Sequence, residues 1–577
     1  MARLTAGPTR HWFKDDKMER STLKVSLIAF LVIGGCCLAG GLLVDNAQAE
    51  GRKPEDQLKE FGQVLSLVES RSVGDVETKD LVSDAIQGML QTLDPHSNYL
   101  PPEAFSEMRD EQRGEFSGLG IQIAKRGPDK PLTIIAPIED TPAQRAGLIS
   151  GDIISAIEGE ETIDMTVQDA VKLLKGHEGT PVTITVHRPS DGSSFDVTII
   201  RAKIHTQSLR LAYLITPTTG YIQIINFTST TTPELDQALA DLTAQGMEKL
   251  ILDLRGNPGG LLDQAVQVSE RFMEEGQMVV YTRGRIPGAD QEYRSGNSNA
   301  RVGIPLVVLV DNGSASASEI VSGAIQDQDR GLVVGQTTFG KGLVQRVIPL
   351  RNRGALAVTT AKYYTPSGRL IQRDYSDLEE YFYTRGGEDQ ALQDEGEAAV
   401  NPGDPAAGSE VPLEDREVFR TTSGRKVYGG GGITPDYIVE VDRMPGLVSG
   451  MIRDNHIFDF SVKYSADHPD LTPAFPVDEP VLDAFKAYLD SKGFEYEADK
   501  FAEHSELIAL RLRARISFGA WDKVAESRVL AALDPQLQKA LAVFDEAAGL
   551  ARAAREAAPG SRDDETRVAD LLAEDPS

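Results

Sequence analysis

IPLVVLVDNGSASASEI, residues 304 to 320, holds the junction on which the fold turns. Ile304 to Val310 is fully apolar, which reads as a strand buried on both faces. A helix-like pattern begins at the Ser-Ala-Ser-Ala-Ser run that follows, with serines at 314, 316 and 318. A serine where a helix opens usually caps backbone N–H groups. It can also do chemistry, because its oxygen lies near the positive end of the helix dipole and the next backbone N–H can face a developing oxyanion. The stretch alone leaves both readings open, with the cap favoured.

Strands and helices alternate on both sides of this junction. YIQIINF (221–227) and LILDLRG (250–256) read as strands. PELDQALADLTAQG (233–246) and LLDQAVQVSERFM (261–273) read as helices, the former with proline near its start and glycine at its end. GLVVG (331–335) and LAVTTAKYY (356–364) add strands. The pattern is that of an α/β core. Upstream, residues 114–203 read as a strand-rich module with a helix or two, among them VQDAVKLLK, which sets Val167, Ala170, Val171 and Leu174 on one face. The G-L-G loop at 118–120, the AGLISGDIISAIEG segment (146–159) and this late helix come in the order of a PDZ domain, which the module resembles. PDZ domains add an extended peptide as an extra strand and hold its carboxylate on backbone N–H groups. The resemblance implies a carboxylate loop at Gly118, Leu119 and Gly120, with side-chain pockets from Ile121, Ile123, Val171 and Leu174.

The ends of the chain are of other kinds. Residues 25–44 are apolar, follow a charged segment and precede Ala47-Gln48-Ala49, a cleavage-site pattern. Residues 1–49 are thus expected to be an export signal, or a membrane anchor if uncleaved. Both cysteines, Cys36 and Cys37, fall in that segment, so the mature chain has no thiol nucleophile. Location is expected in the periplasm or at the outer face of a bacterial inner membrane. The formal net charge of -29 argues against nucleic acid as a partner. Residues 386–416 are expected to form an acidic disordered insertion. The remaining bounds are 50–113 for an N-terminal helical region, 204–385 for the α/β core and 417–444 for its return strands. A C-terminal helical region fills 445–557, and 558–577 is a disordered tail.

A serine needs a base to attack a carbonyl. None of the eight histidines falls in the strand–helix alternation of residues 219–375, and no H-E-x-x-H pattern exists, so a metallopeptidase is disfavoured. A lysine can serve if desolvation keeps it neutral. Lys341, in TTFGKGLVQ (337–345), sits between two glycines and close to Phe339, Leu343 and Val344.

GSASASEI, RGNPGGLL, FGKGLVQ, YYTPSGRLIQ and YGGGGITPD together resemble the carboxy-terminal processing, or tail-specific, proteases. LDPHSNYL (93–100) and the PDZ position match as well, so the resemblance covers roughly residues 55 to 445. It implies a crotonase-like or Clp-like α/β protease core with an inserted PDZ domain and helical ends. It makes Ser316 the nucleophile and Lys341, 25 positions on, the general base. Gln345 would orient the lysine. Ala317 and one of Gly259 and Gly260 would form the oxyanion hole, and Asp327 would give structural support. No cofactor or metal is implied. The partners implied are proteins with exposed C-termini, a second copy of the chain through the helical regions, or an adaptor protein. Relatives carry an arginine near the end of the PDZ helix where this chain has Lys175, which lacks the planar fork. Two other readings are a PDZ scaffold with a dead protease core and a ligand-binding crotonase-like fold. The intact Ser316, Lys341 and Gln345 set argues against both.

Overall fold

The computed structural model describes residues 54–125, 130–189, 191–296, 301–376, 416–441 and 443–557. The 1–49 segment, the 558–577 tail and all but the last residue of the 386–416 insertion lie outside them. The chain divides into two compact units, 1–86 and 87–577. In the first, helix Pro54–Arg71 precedes helix Thr78–Gln91, which crosses the boundary. Pro54–Arg71 buries none of its residues. Leu58, Phe61, Val64, Leu67 and Val68 are exposed along it.

The second unit is built around one sheet. Among the described residues it has six strands, in the order Leu209–Thr216, Thr219–Ile224, Lys249–Asp253, Leu306–Val310, Leu332–Gly335 and Tyr437–Ile438. The first two are antiparallel and all later neighbours run parallel. Every residue of Leu306–Val310 is buried, as its composition requires. Alternation along the strands separates two cores. Leu250, Leu252, Val308 and Val310 face helices Thr231–Ala244, Leu262–Glu270 and Ala317–Asp327. Ile251, Val307 and Leu309 face the other way, onto Leu537, Ala540, Val543 and Phe544 near the C-terminus.

A second sheet joins Asn98–Leu100, Ala355–Tyr364, Met278–Gly284 and Gln291–Arg294, and Leu343–Pro349 pairs with Ala355–Tyr364. The segment expected to be helical up to residue 113 therefore contributes a strand to the core. In the stretch 417–444, Tyr437–Ile438 alone among the described strands joins the main sheet. Val418–Arg420 and Lys426–Tyr428 pair with each other.

The PDZ-like module has its own antiparallel sheet, Ile121–Ala124, Leu132–Pro137, Ile153–Ile157, Pro181–Arg188 and Ser193–Ile200. Its core includes Ile134, Ile154, Ile157, Val182 and Ile184. Thr166 caps helix Val167–Leu174 by accepting from the Asp169 N–H. Ile121–Ala124 is the edge strand of this sheet and leaves one side of its backbone unpaired. The C-terminal helices divide in two. Gly446–Arg453 to Ser505–Ala520 enclose a separate core of Phe460, Phe485, Leu489, Ile508 and Leu512. Pro535–Ala542 and Phe544–Ala557 instead cover the main sheet.

Candidate active site

The three serines of the opening stretch have different surroundings. Ser314 and Ser318 are buried. Their hydroxyls donate to the carbonyls of Leu254 (2.8 Å) and Asn257 (2.9 Å). Ser316 alone of the three reaches the surface in part. Its backbone has φ 53 and ψ -110, a conformation that costs a non-glycine residue about 1–3 kcal/mol. A sharp, strained strand-to-helix turn is the local form of the serine in G-x-S-x-G hydrolases. This chain reaches that form without the motif.

The strain is held by Glu319, one turn into the helix and fully buried. One carboxylate oxygen accepts from the N–H groups of both Ser316 (2.7 Å) and Lys341 (2.9 Å). The other accepts from the Thr338 hydroxyl (2.6 Å) and the Gly340 N–H (2.7 Å). Burial pushes this carboxyl above its ordinary value, and the four donors, Thr338 foremost, offset only part of that. The Tyr363 hydroxyl makes a second bridge, within reach of the Ser316 carbonyl (3.1 Å) and the Lys341 carbonyl. Two residues 25 apart in sequence are thereby fixed to each other through their main chains.

Lys341 lies between buried Phe339 and Leu343 and donates from Nζ to Gln345 Oε1 (3.4 Å). Gln345 Nε2 donates in turn to the His96 carbonyl. So a histidine does stand near the site, which the sequence did not disclose, and its carbonyl anchors Gln345. Asp94 shapes that turn. It accepts from the N–H groups of His96 and Ser97 (both 2.8 Å), the Ser97 hydroxyl (2.7 Å) and the Thr359 hydroxyl (3.1 Å).

Gly259 sits against the serine, and Gly260 against the Phe227 backbone. At Gly259 (φ 106) a β-carbon would lie 2.8 Å from the Ser316 β-carbon. At Gly260 (φ 142) it would lie 2.2 Å from the Phe227 carbonyl oxygen. The Gly259 N–H already donates to Asn257 Oδ1 (2.9 Å). Asp327 is buried away from the serine, in an ion pair with Arg369 (2.7 Å).

All seven PDZ residues singled out in the sequence line one cavity of about 600 Å³. Lys175, Phe116, Phe227, Gly259 and Gly260 line it too, so the peptide groove opens directly onto the glycine turn. Lys175 reaches over the Phe116 ring, 5.9 Å from its centre. Glu319, Asn257, Tyr363 and Asp94 were not anticipated. The S-x-x-E spacing of a capping box, Ser316 to Glu319, was the available signal for the first.

A serine on a strained turn, a lysine bound to the same buried carboxylate and a PDZ groove beside them belong to a serine-type peptidase that handles peptide tails. Comparison with known proteins agrees. Residues 218–377 match the model for peptidase family S41, residues 133–188 a PDZ domain, and residues 42–104 the N-terminal domain of the activating protease CtpB. Residues 447–517 match "Probable PDZ-protease, C-terminal helical domain". A carboxy-terminal-processing protease of Bartonella bacilliformis is 40% identical over 320 residues, 55% of this chain and 73% of that protein. A "Probable CtpA-like serine protease" of Staphylococcus aureus strain COL is 33% identical over 349 residues, 60% of this chain and 69% of that one. The solved photosystem II D1 C-terminal processing protease is similar at 30% identity over 53% of this chain and 82% of its own, with a TM-score of 0.32. The chain belongs to the CtpA-like carboxy-terminal processing proteases of peptidase family S41.

Proposed function

We propose that the peptidase works through a Ser316–Lys341 dyad and cuts proteins whose C-terminal tails occupy the PDZ groove. The carrying observation is the single Glu319 oxygen that binds the N–H groups of both residues. Ser316 Oγ attacks the scissile carbonyl carbon while its proton passes to neutral Lys341 Nζ. The resulting oxyanion accepts from the Ala317 N–H and, since Gly259 is engaged by Asn257, from Gly260. The C–N bond then breaks, Lys341 returns the proton to the leaving amine, and an acyl-enzyme remains. Water, deprotonated by the same lysine, releases the product and restores the serine. Gln345, anchored on His96, keeps the lysine aimed.

Upstream of the chemistry, a tail would pair with edge strand Ile121–Ala124 and set its carboxylate on Gly118-Leu119-Gly120. Export rests on the 1–49 segment. No helix among the described residues is long and apolar enough to cross a membrane. Self-association or adaptor docking rests on the helical ends, and the substrates this location suggests are precursors with a cleavable tail, cell-wall hydrolases or damaged periplasmic proteins.

The test is turnover of an unfolded casein-type substrate. Ser316→Ala and Lys341→Ala should each lower kcat by about six orders of magnitude, as in other nucleophile and base deletions. Near wild-type turnover by either variant refutes the dyad. Activity should also decline toward acid pH, where the lysine base is protonated; a flat profile between about pH 6 and 9 speaks against it.

A further inference from the structure

Arg255 stands at the root of the glycine turn, and its guanidinium is held from two directions. Asp253, at the end of strand Lys249–Asp253, accepts from Nε (3.0 Å) and Nη2 (2.7 Å). On the other side, Nη1 lies 2.8 Å from Asp534 Oδ2 and 3.0 Å from Gln536 Oε1. These last two residues come from the start of helix Pro535–Ala542, on the sheet face opposite to helix Ala317–Asp327. Burial acts to depress the guanidinium's affinity for its proton. Asp253 and Asp534 more than offset that and keep it charged.

Beyond Arg255 the turn is tied to the nucleophile's side. The Gly256 N–H donates to Asp311 (2.8 Å). The Asn257 carbonyl accepts from the Ala315 N–H (3.0 Å) and the Ser318 hydroxyl (2.9 Å), and its side chain holds Gly259. The glycines next to Ser316 are thus clamped between the serine's own loop and the C-terminal helix.

We propose that Asp534 and Gln536 are positioning residues for the oxyanion turn, so that the C-terminal segment completes the active site from behind the sheet. The proposal rests on the reading of that turn as the oxyanion hole. Its physical ground is steep geometry: a donor is worth its full value only when fixed close to the developing charge, and small displacements are costly. Asp253, two residues from Arg255, holds the guanidinium within its own strand. Among the described residues, only Asp534 and Gln536 hold it to a separate element. The segment has other anchors, since Leu537, Ala540 and Phe544 are buried on the sheet and Lys539 stands 3.7 Å over the Tyr437 ring. Loss of the ion pair alone should therefore leave it docked.

Asp534→Asn in the full chain isolates the effect. Asp534 also caps its helix by accepting from the Leu537 N–H (2.9 Å), and asparagine caps as well as aspartate. The expected result is a kcat lower by about 10-fold to 100-fold with KM held within about twofold. Labelling of Ser316 by a fluorophosphonate, whose phosphoryl oxygen enters the oxyanion hole, should slow in parallel. Asp534→Glu should recover part of kcat, and Asp545→Asn, an exposed acid in the next helix, should behave as wild type. Unchanged kcat or labelling in a folded Asp534→Asn enzyme overturns the proposal. So does a loss that only tracks the unfolded fraction by circular dichroism. If Asp534→Asn does not fold, Gln536→Met must give the same kcat-against-KM split, and its misfolding too would mark a purely structural contact. Ser316→Ala is assayed alongside. Serine-independent turnover removes the dyad and this proposal together, whereas serine-dependent turnover with a wild-type Asp534→Asn removes this proposal alone.

Discussion

Glu319→Gln would set an amide nitrogen among four hydrogen-bond donors that now face a carboxylate. An amide has one acceptor oxygen, so at least one of the two pairs loses its partner in a buried place, at about 1–3 kcal/mol per orphaned group. The Ser316 turn should relax and kcat should fall by about a hundredfold or more, measured beside the melting temperature. Ser314→Ala and Ser318→Ala should instead keep kcat within about tenfold of wild type while lowering stability, because Ser318→Ala removes the buried hydroxyl bond to Asn257 and Ser314→Ala those with Leu254 and Asp311. Equal loss at all three serines would mean that the stretch acts only as scaffold. At this scale the sequence was most informative about Ser316, Lys341 and Gln345, whose spacing is fixed along the chain. It was silent on Asn257 and Tyr363. Their partners lie on other elements, and an asparagine in a proline-glycine turn looks like any other turn residue.

The strand Asn98–Leu100 was hidden for a related reason. Three residues carry no periodicity, and their pairing is supplied by Ala355–Ala357 far along the chain. What holds the preceding turn is Asp94. Burial pushes its carboxyl up, but bonds from Ser97, His96 and Thr359 outweigh this and hold it below the ordinary 3.8. A carboxylate with a lowered folded value contributes stability above its unfolded value, and loses it as pH falls through the folded one. Docking of the 94–100 turn should hence persist at neutral pH and weaken below about pH 3.8, read as faster amide exchange at Ser97 and Tyr99. Protection that stays constant to pH 2 would contradict this. The PDZ-like element was far more legible, since its glycines, alternating strands and late helix all lie within one continuous segment. A substrate tail ending in an amide should bind several-fold more weakly than the free acid if the 118–120 loop takes a carboxylate. Equal affinity by calorimetry would remove that role.

Over the whole molecule, the α/β class followed from alternation alone, but the division of labour among the C-terminal helices did not. Which of them meets the sheet, and by which face, depends on a strand core assembled from residues 209–335. The exposed row Leu58, Phe61, Val64, Leu67 and Val68 is an apolar surface of the kind that marks association. Leu58→Asp with Phe61→Asp should lower the sedimenting mass of the full chain while leaving its circular dichroism unchanged. An identical mass would remove that role from this row.

The single Glu319 oxygen shared by Ser316 and Lys341 has a bearing on latency. In the proposed dyad, nucleophile and base are mounted as one body, so an off state made by parting them must break bonds to a buried carboxylate. An off state made by shifting the 255–260 turn, or by plugging the cavity common to it and the PDZ groove, breaks none of those bonds. On that proposal a switch is cheapest at the PDZ groove, with the dyad left armed throughout.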